Sequence, residues 1–445
     1  MEAGMNGRDK SVDSARKEIM TATVQSGLDD DSIRQTARQY GTPLYLYDAA
    51  VVEGKLEELR SCFPQQTEIF YSFKSNPLLG IAQLLRRNGC RIEVASGGEL
   101  TAALEAGFEP RHIVFTSPGK TEEELQLAVR HGIYSINTEN MREIRMINDI
   151  AGQLGKTVGI AIRINPDIQQ HAASIKMSGV PSQFGLDQAL VPGAIEEALR
   201  LANIRLIGFH IYLGTQILQA DAIVRHYKHS IQMALEYADR YGMELKFLDI
   251  GGGFGVPYFP YEAELDTTAL KQGIAEVWNR YGSRLANTRM AVESGRFLMA
   301  EAGVFITKVL YKKESKRSAF LICDGGSHQH ASSAFLGRYV RSNFPIRVLG
   351  KSGEVEEVTV TGPLCTSTDI IGSKVNLPPA ECGDLIVVDK SGAYGLTHSP
   401  TLFLSHPLPA EVLIDKGRRY VLRERGRYRD ALIGQHSIAE EVRYE

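Results

Sequence analysis

Between about Pro43 and Met299 the chain alternates short apolar, β-branched runs with longer stretches whose apolar residues recur at helical spacing. The strand candidates are EIFYSF, RIEVAS, HIVFTS, YSINT, VGIAIRIN, LIGFHIYLG, KFLDIGGG and RMAVESG. Between them lie GIAQLLRRNG, SGGELTAALEAGF, TEEELQLAVRHG and ALEYADRYG, amphipathic stretches closed by a glycine or a glycine-aromatic pair just past the last turn. Eight strands alternating with helices predict an α/β fold, a (β/α)8 barrel over residues 45–299. After about Ala300 the helical period fades. VFITKVLYKK, SAFLICDGG, EEVTVTGPL, GDLIVVDKS and YVLRERG are β-rich runs parted by turn residues, so we expect a separate β-rich domain, barrel- or sandwich-like. We assign it residues 31–44 and 300–426, with a flexible tail at 1–30 and a polar tail at 427–445. No low-complexity linker separates the two parts, and they should pack together.

Composition changes this picture little. The chain has 445 residues, 43% hydrophobic and 23% charged, with a net charge of -3. No basic face interleaved with aromatics is present, so a nucleic-acid partner is not expected. Five cysteines, Cys62, Cys90, Cys323, Cys365 and Cys382, are an odd number without C-x-x-C spacing. That argues against a disulfide scaffold or a metal site and for a reducing compartment. Neither a secretory h-region nor an apolar run of about 18 residues occurs, so we expect a cytoplasmic protein with no membrane partner.

In such a barrel, reactive groups project from the C-terminal ends of the strands. The first strand runs into Lys74, in YSFKSNPLLG. An isolated strand-end lysine can simply snorkel, but an ammonium drawn out of water is pushed toward its neutral form, which can form a Schiff base with an aldehyde. In LDIGGGFGVPYF, Gly251, Gly252, Gly253 and Gly255 follow a strand; they read equally as a tight turn or as a cradle of backbone N–H groups for a phosphate. AVESGR places Glu293 and Arg296 at the end of the last barrel strand. Glu293 can be an ion-pair partner, or the acid that keeps a pyridine nitrogen protonated.

The ordered set YSFKSN, IEVASGGEL, GFHIYLGTQIL, DIGGGFGVPY, ESGR, GPLCTSTD and SGAYG, over about residues 40–415, resembles the fold type III pyridoxal-phosphate decarboxylases, which include the diaminopimelate and ornithine enzymes. The resemblance implies pyridoxal 5'-phosphate as cofactor, amino-acid decarboxylation, and a head-to-tail homodimer with composite active sites. Lys74 matches the Schiff-base lysine and Glu293 the pyridinium partner. Gly251 to Gly253, Gly295, Arg296 and Tyr394 match phosphate-side contacts. Cys365 matches a cysteine presented across the dimer interface, where it would return a proton to the carbon that loses the carboxylate. Glu93, Thr366 and Asp369 fall in the substrate-contacting segments.

This chain departs from the family text in several places. The histidine that stacks on the cofactor ring is Tyr212 here, and the following hydroxyl is Thr215; His210, two residues earlier on the same strand face, reads as a supporting residue. EPGR is written ESGR. After the cysteine, where the diaminopimelate and ornithine enzymes carry an acid for the far ammonium of the substrate, this chain has Thr366. The arginine expected soon after Asp324 is replaced by the displaced Arg338 and Arg341. A buried amino group without its counter-charge costs several kcal/mol, on the order of 3–5, so a substrate whose distal end is acylated, neutral or tethered fits better. Together with KMSGVPSQFG and SGAYGLTHSPTLFLSHPLP, this text is similar to specialised-metabolism members of the family, above all those that decarboxylate a glutamyl group on an acyl carrier protein. Antibiotic or siderophore biosynthesis is the implied setting. A siderophore-conjugate decarboxylase, a diaminopimelate decarboxylase of lysine biosynthesis, a racemase and a non-catalytic regulatory relative remain alternatives. His328 and His330 in GGSHQH either touch substrate or cap a loop.

Overall fold

The computed structural model describes residues 28–167, 175–176, 181–212, 214–334 and 342–438. Most of the expected N-terminal tail, Arg338, Arg341, much of KMSGVPSQFG and the last seven residues of the C-terminal tail lie outside them. The described part of that tail holds a short 3-10 turn, Tyr428–Leu432.

Helix α1 (Asp30–Tyr40) opens under an Asp29 cap and leads into strand β1 (Leu44–Asp48). Helix α2 (Ala49–Ser61) then enters the barrel, whose strands are β2 (Thr67–Ser72), β3 (Arg91–Val94), β4 (Ile113–Thr116), β5 (Ser135–Thr138), β6 (Val158–Asn165), β7 (Ile204–Ile211), β8 (Phe247–Asp249) and β9 (Arg289–Ser294). All eight are parallel and pair in chain order, and β9 closes the circle onto β2, with Glu293 opposite Phe70. Parallel strands covered on both faces read as continuous apolar runs, and β6, VGIAIRIN, is buried at every position. Inside the closed end, Phe70, Val114, Ala161, Ile207, Phe247 and Ala291 form a plug, so this is a packed core and the chemistry is left to the opposite rim.

The outer helices begin and end where local chemistry demands. In Glu122–His131, Thr121 and Glu124 form a reciprocal capping box, and Gly132 stops the helix in the left-handed region. Ala220–Tyr241 is a single helix of 22 residues, of which ALEYADRYG is only the last part.

The second unit is a mixed nine-stranded sheet. Its long strand Gly303–Ser315 pairs with β1 and with Leu385–Val388 near one end, and with Ser318–Cys323 across a bulge between Val309 and Tyr311. The boundary expected at residue 45 needs correction: β1 lies wholly in this sheet, antiparallel to Gly303–Ser315 and parallel to Ala410–Asp415. Leu44 and Leu46 pack with Val304, Ile306 and Val412, whereas Tyr45 and Tyr47 face the barrel side. The two tyrosine hydroxyls are satisfied by the Gln329 carbonyl and the Glu411 carboxylate, at 2.6 and 2.7 Å. An alternating strand serving two cores holds the sheet against the barrel.

Candidate active site

After Ser72, the chain turns through Phe73–Ser75 and aims Lys74 into a cleft at the C-terminal rim of the barrel. The turn is held from both units: Ser75 Oγ donates to the Ser72 carbonyl, Tyr394 N–H donates to the Ser75 carbonyl at 2.7 Å, and Asn76 Nδ2 donates to the Gly392 carbonyl at 3.0 Å. Lys74 Nζ lies 3.0 Å from both oxygens of Glu93, which is 1% exposed. Withdrawal from water opposes the charge on Lys74, but Glu93 and then Glu293 outweigh it and hold the amine above the ordinary lysine range. The push toward the neutral form expected from partial withdrawal from water is present but is outweighed by the two carboxylates, which favour the ammonium.

Lys74, Tyr212, Thr215, Gly252, Gly253, Glu293, Gly295, Arg296 and Tyr394 line one cleft, together with Ser72, Phe254 and Ser294, which sequence reasoning did not single out. The glycines permit close approach. A Cβ on Gly252 would lie 2.1 Å from the Glu293 carbonyl, and one on Gly253 would lie 2.4 Å from the Gly214 carbonyl. Gly251, expected beside them, does not line the cleft; it turns the chain at φ 66 beneath Tyr212, whose Cδ2 a Cβ there would meet at 2.5 Å. Arg296 Nη1 donates to the Tyr258 hydroxyl at 3.1 Å, and its guanidinium lies 4.7 Å from the Tyr394 ring centre. Burial keeps the Tyr212 hydroxyl protonated, pushed up to about 12.

Below the cleft, His210, Asp249 and Glu293 bring one polar atom each within 4.8 Å of the others, all three buried. His210 Nε2 is 3.6 Å from Glu293 Oε1, and burial followed by the nearby Arg163 charge keeps the ring neutral. Burial first, then Asp249, raises Glu293 far above the carboxylate range. Asp249 stands in the quoted glycine segment at a strand end, so the criterion that picked Glu293 could have found it.

The cysteine segment lies elsewhere. Cys365 is exposed, and neither it nor Thr366 nor Asp369 lines the Lys74 cleft. Asp369, expected near the substrate, is 2% exposed, and its two oxygens accept the N–H groups of Ser327 and Leu364, both at 2.7 Å. A carboxylate so engaged fixes its own loop. His328 is fully buried with its ring centre 4.8 Å from that of His406, and His330 stacks with Tyr45 at 6.0 Å.

The pyridoxal-binding domain of the pyridoxal-dependent decarboxylases matches residues 49–300, more than half of the chain. The chain belongs to that family. This decarboxylase is 41% identical over 414 residues to the L-glutamyl-[BtrI acyl-carrier protein] decarboxylase of Niallia circulans, covering 92% of this chain and 97% of that protein. It is 31% identical to the diaminopimelate decarboxylase of Aquifex aeolicus, over 89% of this chain and 92% of that one. Among solved structures, diaminopimelate decarboxylase of Methanocaldococcus jannaschii superposes with a TM-score of 0.83 at 26% identity, covering 91% and 94% of the two chains. The Helicobacter pylori enzyme complexed with L-lysine gives 0.82 at 28%, covering 90% and 98%.

The cleft fits the family's pyridoxal phosphate. Arg296 Nε and Glu293 Oε1 are buried and have no hydrogen-bond partner among the described residues. A buried polar group in that state is costly unless a ligand completes it. Arg296 with Gly252 and Gly253 would hold the phosphate, Glu293 the protonated ring nitrogen and Lys74 the aldehyde. Bound there, the cofactor supplies an electrophilic carbonyl and a ring that accepts the electron pair left by a departing carboxylate. With the cofactor there, the chain's own share would be a Glu293 carboxylate facing the ring nitrogen, Tyr212 and Tyr394 along the cleft wall, and Lys74 Nζ as the group that receives and returns protons.

Among the described residues no helix is long and apolar enough to cross a membrane.

Proposed function

We propose that this decarboxylase removes the α-carboxylate of an amino-acid conjugate whose distal end is acylated or carrier-tethered, a glutamyl group on an acyl carrier protein being the leading case. The observation that carries the reading is the segment around Cys365. It offers Thr366 and Thr368, whose hydroxyls lie 3.0 Å apart, where a diamino substrate would need a carboxylate, and Asp369 is already engaged by backbone. Similarity to the Niallia circulans protein over nearly the whole of both chains supports it. The site is taken to be composite: a second copy brings its Cys365 over the Lys74 cleft, since the exposed thiol does not line the cleft of its own chain. Decarboxylation of free diaminopimelate is the second reading, favoured by the relatives of that activity at 31% identity.

The test offers the purified, cofactor-loaded enzyme glutamyl-loaded acyl carrier protein, free glutamate and meso-diaminopimelate side by side. Intact-mass spectrometry should show a loss of about 44 Da, one carbon dioxide, from the carrier-bound substrate. Faster turnover of free diaminopimelate than of the conjugate would overturn the proposal. Sedimentation and mixing of Lys74→Ala with Cys365→Ser protein test the composite site, because one of the mixed dimer's two sites then recovers both side chains.

A further inference from the structure

Asp249 is fully buried at the end of β8, and its strand register sets it beside His210 on β7 and Ala291 on β9, one residue pair below Glu293. One oxygen, Oδ1, accepts the N–H of Gly251 at 2.9 Å, while Oδ2 has no partner of its own among the hydrogen bonds of the described residues. The backbone around the two acids is interlocked: Glu293 N–H donates to the Gly251 carbonyl at 2.8 Å, Ile250 N–H donates to the Ala291 carbonyl at 3.0 Å, and His226 Nε2 contacts the Ile250 carbonyl at 2.8 Å. These bonds hold the two strand ends that carry the acids side by side. Two carboxylates confined in a dry space do not both ionise at neutral pH; they keep one proton between them.

The remaining groups that face the pair come from several strands: Lys74 after β2, Glu93 on β3, Asn137 on β5, Arg163 on β6 and His210 on β7. Behind His210 lie Lys120 and His226. His210 is neutral, so it cannot compensate a second negative charge, and Lys74 is already bound by Glu93. Burial, eased by the Gly251 N–H, brings Asp249 up to about 7, and burial with the neighbouring Asp249 raises Glu293 well above the carboxylate range.

We infer that Asp249 is a positioning residue that stores a proton jointly with Glu293 in the cofactor-free site and surrenders it, through Glu293, to the cofactor's ring nitrogen on binding. The O–H bond of the Glu293 carboxyl breaks, an N–H bond forms on the ring, and Glu293 becomes the carboxylate that faces it. No proton is drawn from solvent for this step. Because Asp249 Oδ1 also holds the Gly251 N–H, the same side chain ties the acid to the start of the glycine segment that lines the phosphate end.

The experiment compares wild type with Asp249→Asn by calorimetric titration of the cofactor-free protein with pyridoxal phosphate, in buffers of different ionisation enthalpy at pH 7.5. The Lys74 contribution is common to both proteins and cancels. An asparagine donates to Glu293 and leaves it ionised before binding, so the variant should take up about one proton more per site than wild type. Equal proton counts in two folded proteins overturn the inference. A second measurement does not depend on that variant folding. Infrared difference spectra of wild type on adding pyridoxal phosphate should lose a protonated-carboxyl band, and Glu293→Gln should lack that change. Glu99, Glu143, Glu264 and Asp389 are further carboxyls raised by burial, and Glu293→Gln leaves all four in place; a band change that survives Glu293→Gln, or no change in wild type, refutes the shared proton.

Discussion

Replacing Glu93 by Gln removes the charge facing the Lys74 amine while keeping the side chain's shape. Nζ stands 3.0 Å from both carboxylate oxygens. At that separation two unit charges attract by about 1.4 kcal/mol in bulk water and about 5.5 kcal/mol at an effective dielectric of about 20. Lys74 is 44% exposed into the cleft, so solvent screening discounts the larger figure, leaving about 1.5–3 kcal/mol. At about 1.4 kcal/mol per unit, the variant amine should titrate one to two units lower. Only the neutral amine attacks an aldehyde, so the second-order rate of pyridoxal phosphate capture at pH 8 should rise about tenfold or more, with the pH profile displaced to lower pH by the same one to two units. The sign for stability is opposite. A lysine raised in the folded state contributes stability that is complete below its unfolded value of about 10.4 and is lost as pH climbs through the folded one. Glu93→Gln should therefore weaken the cofactor-free protein at pH 7, with the difference from wild type shrinking only in strong alkali. Stopped-flow absorbance of cofactor capture from pH 6 to 10 decides the matter. An unchanged profile, or slower capture at every pH, would refute the view that Glu93 holds Lys74 as an ammonium.

Lys74→Ala should leave no borohydride-stable pyridoxyl adduct by intact mass and should lower turnover on the order of 10⁴-fold or more, as expected when the covalent group is removed. Asp369→Ala deprives two buried N–H groups, those of Ser327 and Leu364, of their acceptor; urea denaturation should show a loss of about 2–4 kcal/mol, with Lys74 still capturing cofactor. Glu99, whose carboxyl burial raises to about 7 despite the N–H of Ala95, contributes stability that is whole below its unfolded range and fades as pH rises through about 7. Glu99→Gln should accordingly gain thermal stability relative to wild type at pH 8.5 and gain none at pH 4.5, by scanning calorimetry.

The barrel was legible because its strands are covered on both faces, which makes them continuous apolar runs of a length that no amphipathic helix shares; β6 matches the quoted VGIAIRIN residue for residue. The helix Ala220–Tyr241 was half hidden because its buried face carries His226, Tyr227 and Ser230, polar residues that blur the apolar period. Strand β1 escaped because it is alternating and belongs to two cores, and the text does not say which neighbours cover each face. At the site, Lys74, Glu293 and Arg296 could be read from where apolar runs stop. Asp369 could not, since its role depends on two amides, one of them 42 residues away in the chain, converging on it. The Lys74 charge state could not either, because it is set by the contact of a turn residue after β2 with Glu93 on β3.

That contact bears on how the site works as a whole. The cleft residues of this chain sit on interlocked backbone: Lys74 on a turn tied to Tyr394 and Gly392 of the sheet, Glu293 on a strand tied to Gly251. The Cys365 segment is fixed as firmly, by Asp369, yet presents its thiol to solvent and not to the cleft. On the proposal of a composite site, Cys365 takes part in proton return from a second copy, and substrate choice at Thr366 is then exercised by one protomer on the site of the other.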